Sequence, residues 1–346
     1  MSSQTPVTAS YSEEQLKLVK IACGFYLPKA LYVFAEYKIA DLLVDGPKTA
    51  DALAEEAGLH ADTLYRTMRA LASEGVLDES ENREFSLNDV GRLLVSGHPS
   101  GVREGALCFT GPMAWKSWEG YHEALRTGEV GMEIAHGMSY YEYLESHPEE
   151  SENFNRAMIA VSSQGFDRLP STYDFTGMKK VVDVGGGIGA LLTAVVKATP
   201  GLEGVLFDLP YVVADAEQVI AQDGMSDRIS VVGGSYFDNE IPPGADAYVL
   251  AGVIHNRSDE ESIAILKNIA AAAEPGTKVL IVDMVVPEGP GADFRKLQDL
   301  SMMVEAGGRE RTAGEFKALF EASGFALGEI ALLEMPLSVT EGIRVG

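Results

Sequence analysis

The stretch Val181-Val-Asp-Val-Gly-Gly-Gly-Ile-Gly-Ala190 constrains the fold of this chain more than any other. An apolar, β-branched run that ends in a glycine-rich turn and leads into an apolar helical stretch reads as the opening strand, loop and helix of an open α/β sheet. The glycines permit a tight turn and let backbone approach a ligand closely. Downstream the pattern keeps alternating. Strands are expected at 181–184, 204–207, 229–232, 247–251 and 278–284, with helices at 190–198, 212–222, 259–273 and 313–322. Apolar strands separated by helices predict βαβ units and a parallel sheet. Residues 326–345 read as two strands around a turn, forming an antiparallel edge. The fold class is therefore α/β, a Rossmann-like, doubly wound, mostly parallel sheet.

The residues before this sheet read differently. Residues 1–12 are polar and predict a disordered tail, without the basic start and apolar stretch of a signal peptide. Spacings of three and four from Glu13 to Leu43 (Leu18, Ile21, Phe25) predict helices, with a break at Leu27-Pro28. Thr49–Gly58 reads as a short helix closed by glycine. A second helix, 64–74, has Asp62 as its cap and Leu64, Met68 and Leu71 on one face. Gly75–Asp78 and Glu84–Leu87 read as two short strands. Helix-turn-helix followed by a hairpin is a winged helix. The division expected is a winged-helix domain over 1–100 and the α/β domain over 101–346, with a helical segment at 101–175. In that segment Trp115, Trp118, Tyr121 and Leu125 recur at helical spacing, and Tyr140, Tyr141 and Tyr143 either line a pocket or pack in the core.

A winged helix often reads DNA, but that needs a basic face. Here Arg66 and Arg69 stand among Asp62, Asp78, Glu79 and Glu81, and the whole chain carries a net charge of -25. Such a field repels nucleic acid and anionic membranes, so neither is an expected partner. A stabilising or dimerising module fits better. Cys23 and Cys108 match no metal spacing and read as buried free thiols, consistent with a reducing cytoplasm. No apolar run is expected to reach the ~18 residues that span a bilayer.

The glycine loop has two readings. Gly185-x-Gly187-x-x-Ala190 satisfies the dinucleotide fingerprint. Asp183, two residues before the first glycine, tilts the choice. A carboxylate there opposes a pyrophosphate and favours a ligand bearing an ammonium and a sulfonium, as S-adenosyl-L-methionine does. Asp208 ends the next strand, where a carboxylate can accept from both ribose hydroxyls.

His255 follows the strand that ends near Ala251 and precedes a helix whose start, Ser258 to Glu261, has capping-box spacing. Ligands of open α/β sheets bind outside the carboxyl ends of the strands, which is where His255 falls. Methyl transfer from a sulfonium to a hydroxyl requires that the hydroxyl lose its proton, and histidine is the natural base near neutral pH. Asp283, ending its strand, and Glu310, in Gly307-Gly-Arg-Glu-Arg-Thr312, are both placed to orient the imidazole. The alternative is a histidine that only ties down a loop.

Together these residues resemble the caffeate- and acetylserotonin-type small-molecule O-methyltransferases of plants and bacteria. The likeness runs from about residue 15 to 345. It rests on the winged-helix start, Phe154-Asn-Arg-Ala-Met158, Asp183–Gly187, Phe207-Asp-Leu-Pro210, His255-Asn-Arg-Ser-Asp-Glu260 and Gly307–Thr312 in this order. The resemblance implies a homodimer joined through the N-terminal domain, with each partner helping to close the other's acceptor pocket. It implies that Gly185, Gly187, Gly189, Asp208, Leu209, Tyr236, Phe237 and Ser162 hold the cofactor. It also implies that His255 is the base with Glu310 and Asp283 beside it, and that Phe109, Trp115, Met158, Asn256 and Met303 border the pocket for an aromatic or polyketide-like acceptor. No metal is implied. The sequence departs from the family at three places: Ser235 replaces an acid expected against adenine, Asn256-Arg257 replaces Asp-Trp, and Ala251 replaces a polar residue. An Arg257 pointing inward would lower the pKa of the base. The reading that follows is methylation of a phenolic or enolic hydroxyl of a secondary metabolite. The alternative is an enzyme of the same fold that keeps the cofactor as a bound cation without transferring its methyl.

Overall fold

The computed structural model describes residues 11–166, 168–238, 240–333 and 336–346, apart from the side chains of 159–166 and of 215. The tail expected at 1–12 therefore lies almost wholly outside the described residues. The chain forms two compact units, one of residues 1–113 with 152–157 and one of 114–151 with 158–346.

In the first unit, Ser12 caps the helix Glu13–Ala22 through a capping box. The next helix is Tyr26–Glu36, so the break falls at 23–25, ahead of the position expected. Pro28 sits in the first turn, where a missing N–H costs nothing. The helix Ala50–Ala57 runs from its Thr49 cap to Gly58, which takes φ 68° as its C-cap. The helix Ala61–Ser73 is capped by His60, whose ring accepts from Thr63 N, and not by Asp62, which lies in the first turn. Strands β1 (Lys48–Thr49), β2 (Asp78–Glu79) and β3 (Glu84–Ser86) form a small antiparallel sheet in the order β1-β3-β2. Leu53, Leu64, Met68, Leu71 and Phe85 are at the centre of this unit's core. Cys108 is buried, but Cys23 is half-buried, since it stands in the turn between two helices whose outer faces are bare. By length and composition alone, the stretch Glu13–Glu36 is apolar enough to cross a bilayer, contrary to the expectation from the sequence, although the 23–25 turn divides it.

The second unit is built on β4 (Lys180–Val184), β5 (Glu203–Asp208), β6 (Ile229–Gly233), β7 (Ala247–Ala251), β8 (Lys278–Val286), β9 (Arg311–Thr312), β10 (Phe325–Leu332) and β11 (Leu337–Arg344). The main path is β10-β11-β8-β7-β4-β5-β6, with the short β9 laid parallel to the end of β8. Strands β6 to β8 on this path are parallel; β11 inserts antiparallel beside β8 and leaves β10 at the edge. Apolar layers cover both faces, one including Val182, Leu250 and Ile269, the other Val181, Leu192 and Val249. This is the doubly wound sheet expected. The strand order reverses at β4, which pairs with β5 on one side and β7 on the other. The glycine loop leaves β4 and the His255 loop leaves β7, so the two stand side by side at the switch point, where such folds bind ligands.

Candidate active site

The glycine loop is backbone of a kind that side chains rarely permit. Gly185, Gly187 and Gly189 take φ of 74°, 59° and 83°. A Cβ on Gly186 would stand 2.5 Å from Asp183 Oδ2. Asp208, half-buried at the end of β5, accepts from Gly187 N (2.9 Å) with Oδ2 and from Leu209 N (2.7 Å) with Oδ1. Asp183 lies beneath the loop, 1% exposed, and among the described residues no side chain pairs with its carboxylate, which has only the Leu192 backbone near it. Burial, aided by the charge of Asp208, pushes its pKa up to about 7. A buried acid without a countercharge, beside a second carboxylate, suits a cationic nucleoside and disfavours a pyrophosphate.

After β6, Ser235 Oγ accepts from Phe237 N (3.2 Å), which turns the chain. Tyr236 packs toward Gly185, and its hydroxyl accepts from Arg257 Nη2 at 2.6 Å. Phe237 is exposed. The Arg257 guanidinium lies over both rings, 5.6 and 5.4 Å from their centroids. Arg257 therefore points toward the aromatic pair and not inward at His255.

The imidazole of His255 is held from one side. Its Nδ1 lies 3.1 Å from Oε1 of Glu310, a carboxylate 3% exposed. A carboxylate there fixes Nδ1 as the protonated nitrogen and leaves Nε2 for a ligand. Asp283 does a different job. Its Oδ2 accepts from the backbone N of His255 and its Oδ1 from Gly252 N, both at 3.1 Å, so it holds the loop and not the ring. Burial alone would lower the histidine's pKa, but Asp283 and Glu310 outweigh burial and the opposing charge of Arg311, and lift it to about 9. Arg257 is thus not placed to lower it; the cation that opposes the rise is Arg311, and the two acids outweigh it. Burial pushes Asp283 up to about 7.

The residues expected around an acceptor are less gathered. Asn256 turns its amide back to the Gly252 carbonyl at 2.9 Å. Met303 is 41% exposed and lines a cavity of about 420 Å³ with Arg257, Asp299 and Gly308, beside the loop that bears the imidazole. Trp115 and Met158 are half-buried elsewhere in the same unit, and neither lines that cavity. Phe109 belongs to the first unit. The Ser162 side chain lies outside the described residues. Among the described residues no group of His, Cys, Asp and Glu has the geometry to hold a metal. Two features escaped the sequence reading: the buried guanidinium of Arg311, and a π-turn at Met302–Ala306 whose Glu305 accepts from Trp118 Nε1 at 2.9 Å. The only signal was the doubled arginine around Glu310.

A doubly wound sheet with a positive-φ glycine loop, two acids beneath it and a histidine–carboxylate pair on the adjacent strand end defines the class: an S-adenosyl-L-methionine-dependent methyltransferase. Comparison with known proteins narrows it. The O-methyltransferase domain matches residues 118–326 and the O-methyltransferase dimerisation domain residues 19–97. A phenazine O-methyltransferase of Lysobacter antibioticus is 39% identical over 94% of each chain. The aclacinomycin 10-hydroxylase of Streptomyces purpurascens is 32% identical, over 90% of this chain and 84% of its own. A solved methyltransferase of calicheamicin biosynthesis, bound to S-adenosylhomocysteine, superposes with TM-score 0.86 at 35% identity, covering 97% of this chain and all of that one. This chain belongs to the dimerising O-methyltransferase family of bacterial secondary metabolism.

Proposed function

We propose that the protein methylates a phenolic or enolic hydroxyl of a small aromatic or polyketide-like metabolite, with His255 as the general base. One observation carries this reading: Glu310, buried, engages Nδ1 of His255 and leaves Nε2 free at the end of β7, next to the glycine loop. S-adenosyl-L-methionine, when bound, supplies a methyl group on a sulfonium. Asp183, Gly185, Gly187, Gly189, Asp208, Leu209, Ser235, Tyr236, Phe237 and Ser162 are the residues we assign to holding it. Asn256, Met303, Trp115, Met158 and Phe109 are those we assign to the acceptor. His255 Nε2 takes the acceptor proton, Glu310 stabilises the imidazolium so formed, and Asp283 fixes the backbone from which the ring projects. In this reading 1–100 is the winged-helix dimerisation domain, 101–346 the catalytic domain with its acceptor-binding segment at 101–175, and the enzyme works in the cytoplasm.

The test is incubation with the cofactor and a panel of hydroxylated phenazines, benzoates and naphthoates, read by mass spectrometry. Methylated product and S-adenosylhomocysteine are expected in equal amounts. His255→Ala should lose about 10²–10⁴-fold in rate while still binding S-adenosylhomocysteine. A variant as active as the parent would refute the role of His255. The hydroxylase relative supports a second reading, in which the cofactor serves as a fixed cation; product formed without S-adenosylhomocysteine would select it.

A further inference from the structure

Arg311 is 1% exposed, and as a buried cation it needs a reason to be there. Its fork is almost fully used, and each partner lies in one short segment. Nη1 donates to Ile254 O (2.9 Å) and Nη2 to Arg257 O (2.8 Å), the carbonyls just before and two after His255. Nε and Nη2 donate to Asp259 Oδ1 at 3.0 and 2.8 Å, and Nη2 reaches Ser262 Oγ at 3.3 Å. The preceding residues grip the same segment. Arg309 N donates to the carbonyl of His255 itself at 2.7 Å, and Glu310 holds its ring. Residues 309–311 are in turn fixed from behind. Glu310 N donates to Asp299 Oδ1 (2.9 Å), and Arg311 is in register with Val285 at the end of β8.

We infer that Arg311 is a positioning residue for the base: it locks the two carbonyls that flank His255, so that the imidazole meets the Glu310 carboxylate extended by the very next residue. Hydrogen bonds made by a planar, always-charged fork fix direction as well as distance, which a lysine cannot reproduce. The arrangement makes one tripeptide responsible for both the ring and the backbone beneath it. This inference rests on the reading of His255 as the base, but the contact it describes can be measured without turnover.

The experiment uses the full-length protein saturated with S-adenosylhomocysteine and labelled with ¹⁵N in its histidine rings. Arg311→Lys and Arg311→Gln are compared with the parent by NMR titration of His255 and by hydrogen exchange of residues 254–258. If Arg311 positions the ring, both variants loosen the Glu310 contact. The apparent pKa of His255 then falls by roughly one unit or more, and exchange at 254–258 quickens at least about tenfold, with affinity for S-adenosylhomocysteine within about threefold of the parent. If Arg311 acts only as a nearby charge, Arg311→Gln raises the pKa of His255, Arg311→Lys leaves it unchanged, and the inference fails. Should either variant not fold, Asp259→Asn, which removes the acid on the guanidinium, gives the same downward shift in weaker form; no shift there overturns the inference. His255→Ala turnover tests the base separately, so failure of one does not mimic failure of the other.

Discussion

At the scale of single residues, the site holds titratable groups displaced from their usual range, and the direction of each displacement sets a pH dependence. His255, lifted to about 9 by Asp283 and Glu310, is protonated at neutral pH in the free protein. A base works in its deprotonated form, so kcat/KM should climb with pH through the neutral range and level off only near 9. Glu310→Gln removes a charge that helps raise the pKa and leaves at most the weaker hydrogen bond of a neutral amide oxygen. It should move the climb to lower pH and drop the plateau by about 10–100-fold; a pH–rate profile of the two proteins checks this, and an unmoved midpoint would detach Glu310 from the ring. Asp183 gives a second dependence, on binding and centred lower. Its carboxyl, near 7 in the free protein, is favoured as the anion by a neighbouring cation, so bound protein holds fewer protons than free protein. Affinity for S-adenosyl-L-methionine should therefore rise as pH increases through about 7. Asp183→Asn should flatten that slope and weaken binding above it by about tenfold, on the order of 1.4 kcal/mol. Calorimetry at several pH values decides between them.

At the scale of elements, the loops matter more than the strands. The glycine loop, the strand ends and the Ser258–Glu261 capping box were legible because each follows from local rules: β-branched runs, obligatory positive φ, fixed cap spacing. The division of labour between the two acids was not. Asp283 and Glu310 have equal sequence claims on the imidazole, and only the pairing of β9 with β8 puts one on the ring and the other on the backbone. Arg257 misled for a similar reason, since its neighbour in sequence is the base but its neighbours in space are Tyr236 and Phe237. The helix Phe294–Ser301 was invisible because it buries no residue fully, and the π-turn after it, which buries Met302, Val304 and Glu305, is too short to show a helical period. The contact that assembles the site from these loops has a sharp steric requirement. A Cβ on Gly308 would stand 2.1 Å from the carbonyl of His255, backbone against which nothing can give. Gly308→Ala should push the 309–311 segment off the base and cut kcat by about 10²-fold, the cost of a displacement near 1 Å. The glycine loop makes no close contact with that segment's clash, so cofactor affinity should survive, and steady-state kinetics beside S-adenosylhomocysteine binding will separate the two effects.

At the scale of the whole molecule, the N-terminal unit presents a surface that a lone chain has no use for. Leu18 and Ile21 are each 68% exposed, Tyr26 is 59% and Phe25 is 51%, and the helix Glu13–Ala22 buries no residue. A contiguous apolar stripe of this kind marks a surface that another partner covers. The dimerisation-domain match begins at residue 19 and takes in most of the stripe, so a second copy explains both the bare face and the membrane-like composition of Glu13–Glu36. The net charge of -25 argues the same way, because two such acidic chains repel at long range and need apolar contact to associate. Two consequences can be measured together. Raising the ionic strength screens the repulsion and should tighten the dimer, whereas a dimer held by ion pairs would loosen. Leu18→Glu with Ile21→Glu places two more acids on the stripe without touching any buried side chain. Sedimentation equilibrium should then give a dimer for the parent and a monomer for the double variant at micromolar concentration, with the thermal transition of the catalytic unit in place. If the double variant remains a dimer under those conditions, the stripe is not the interface.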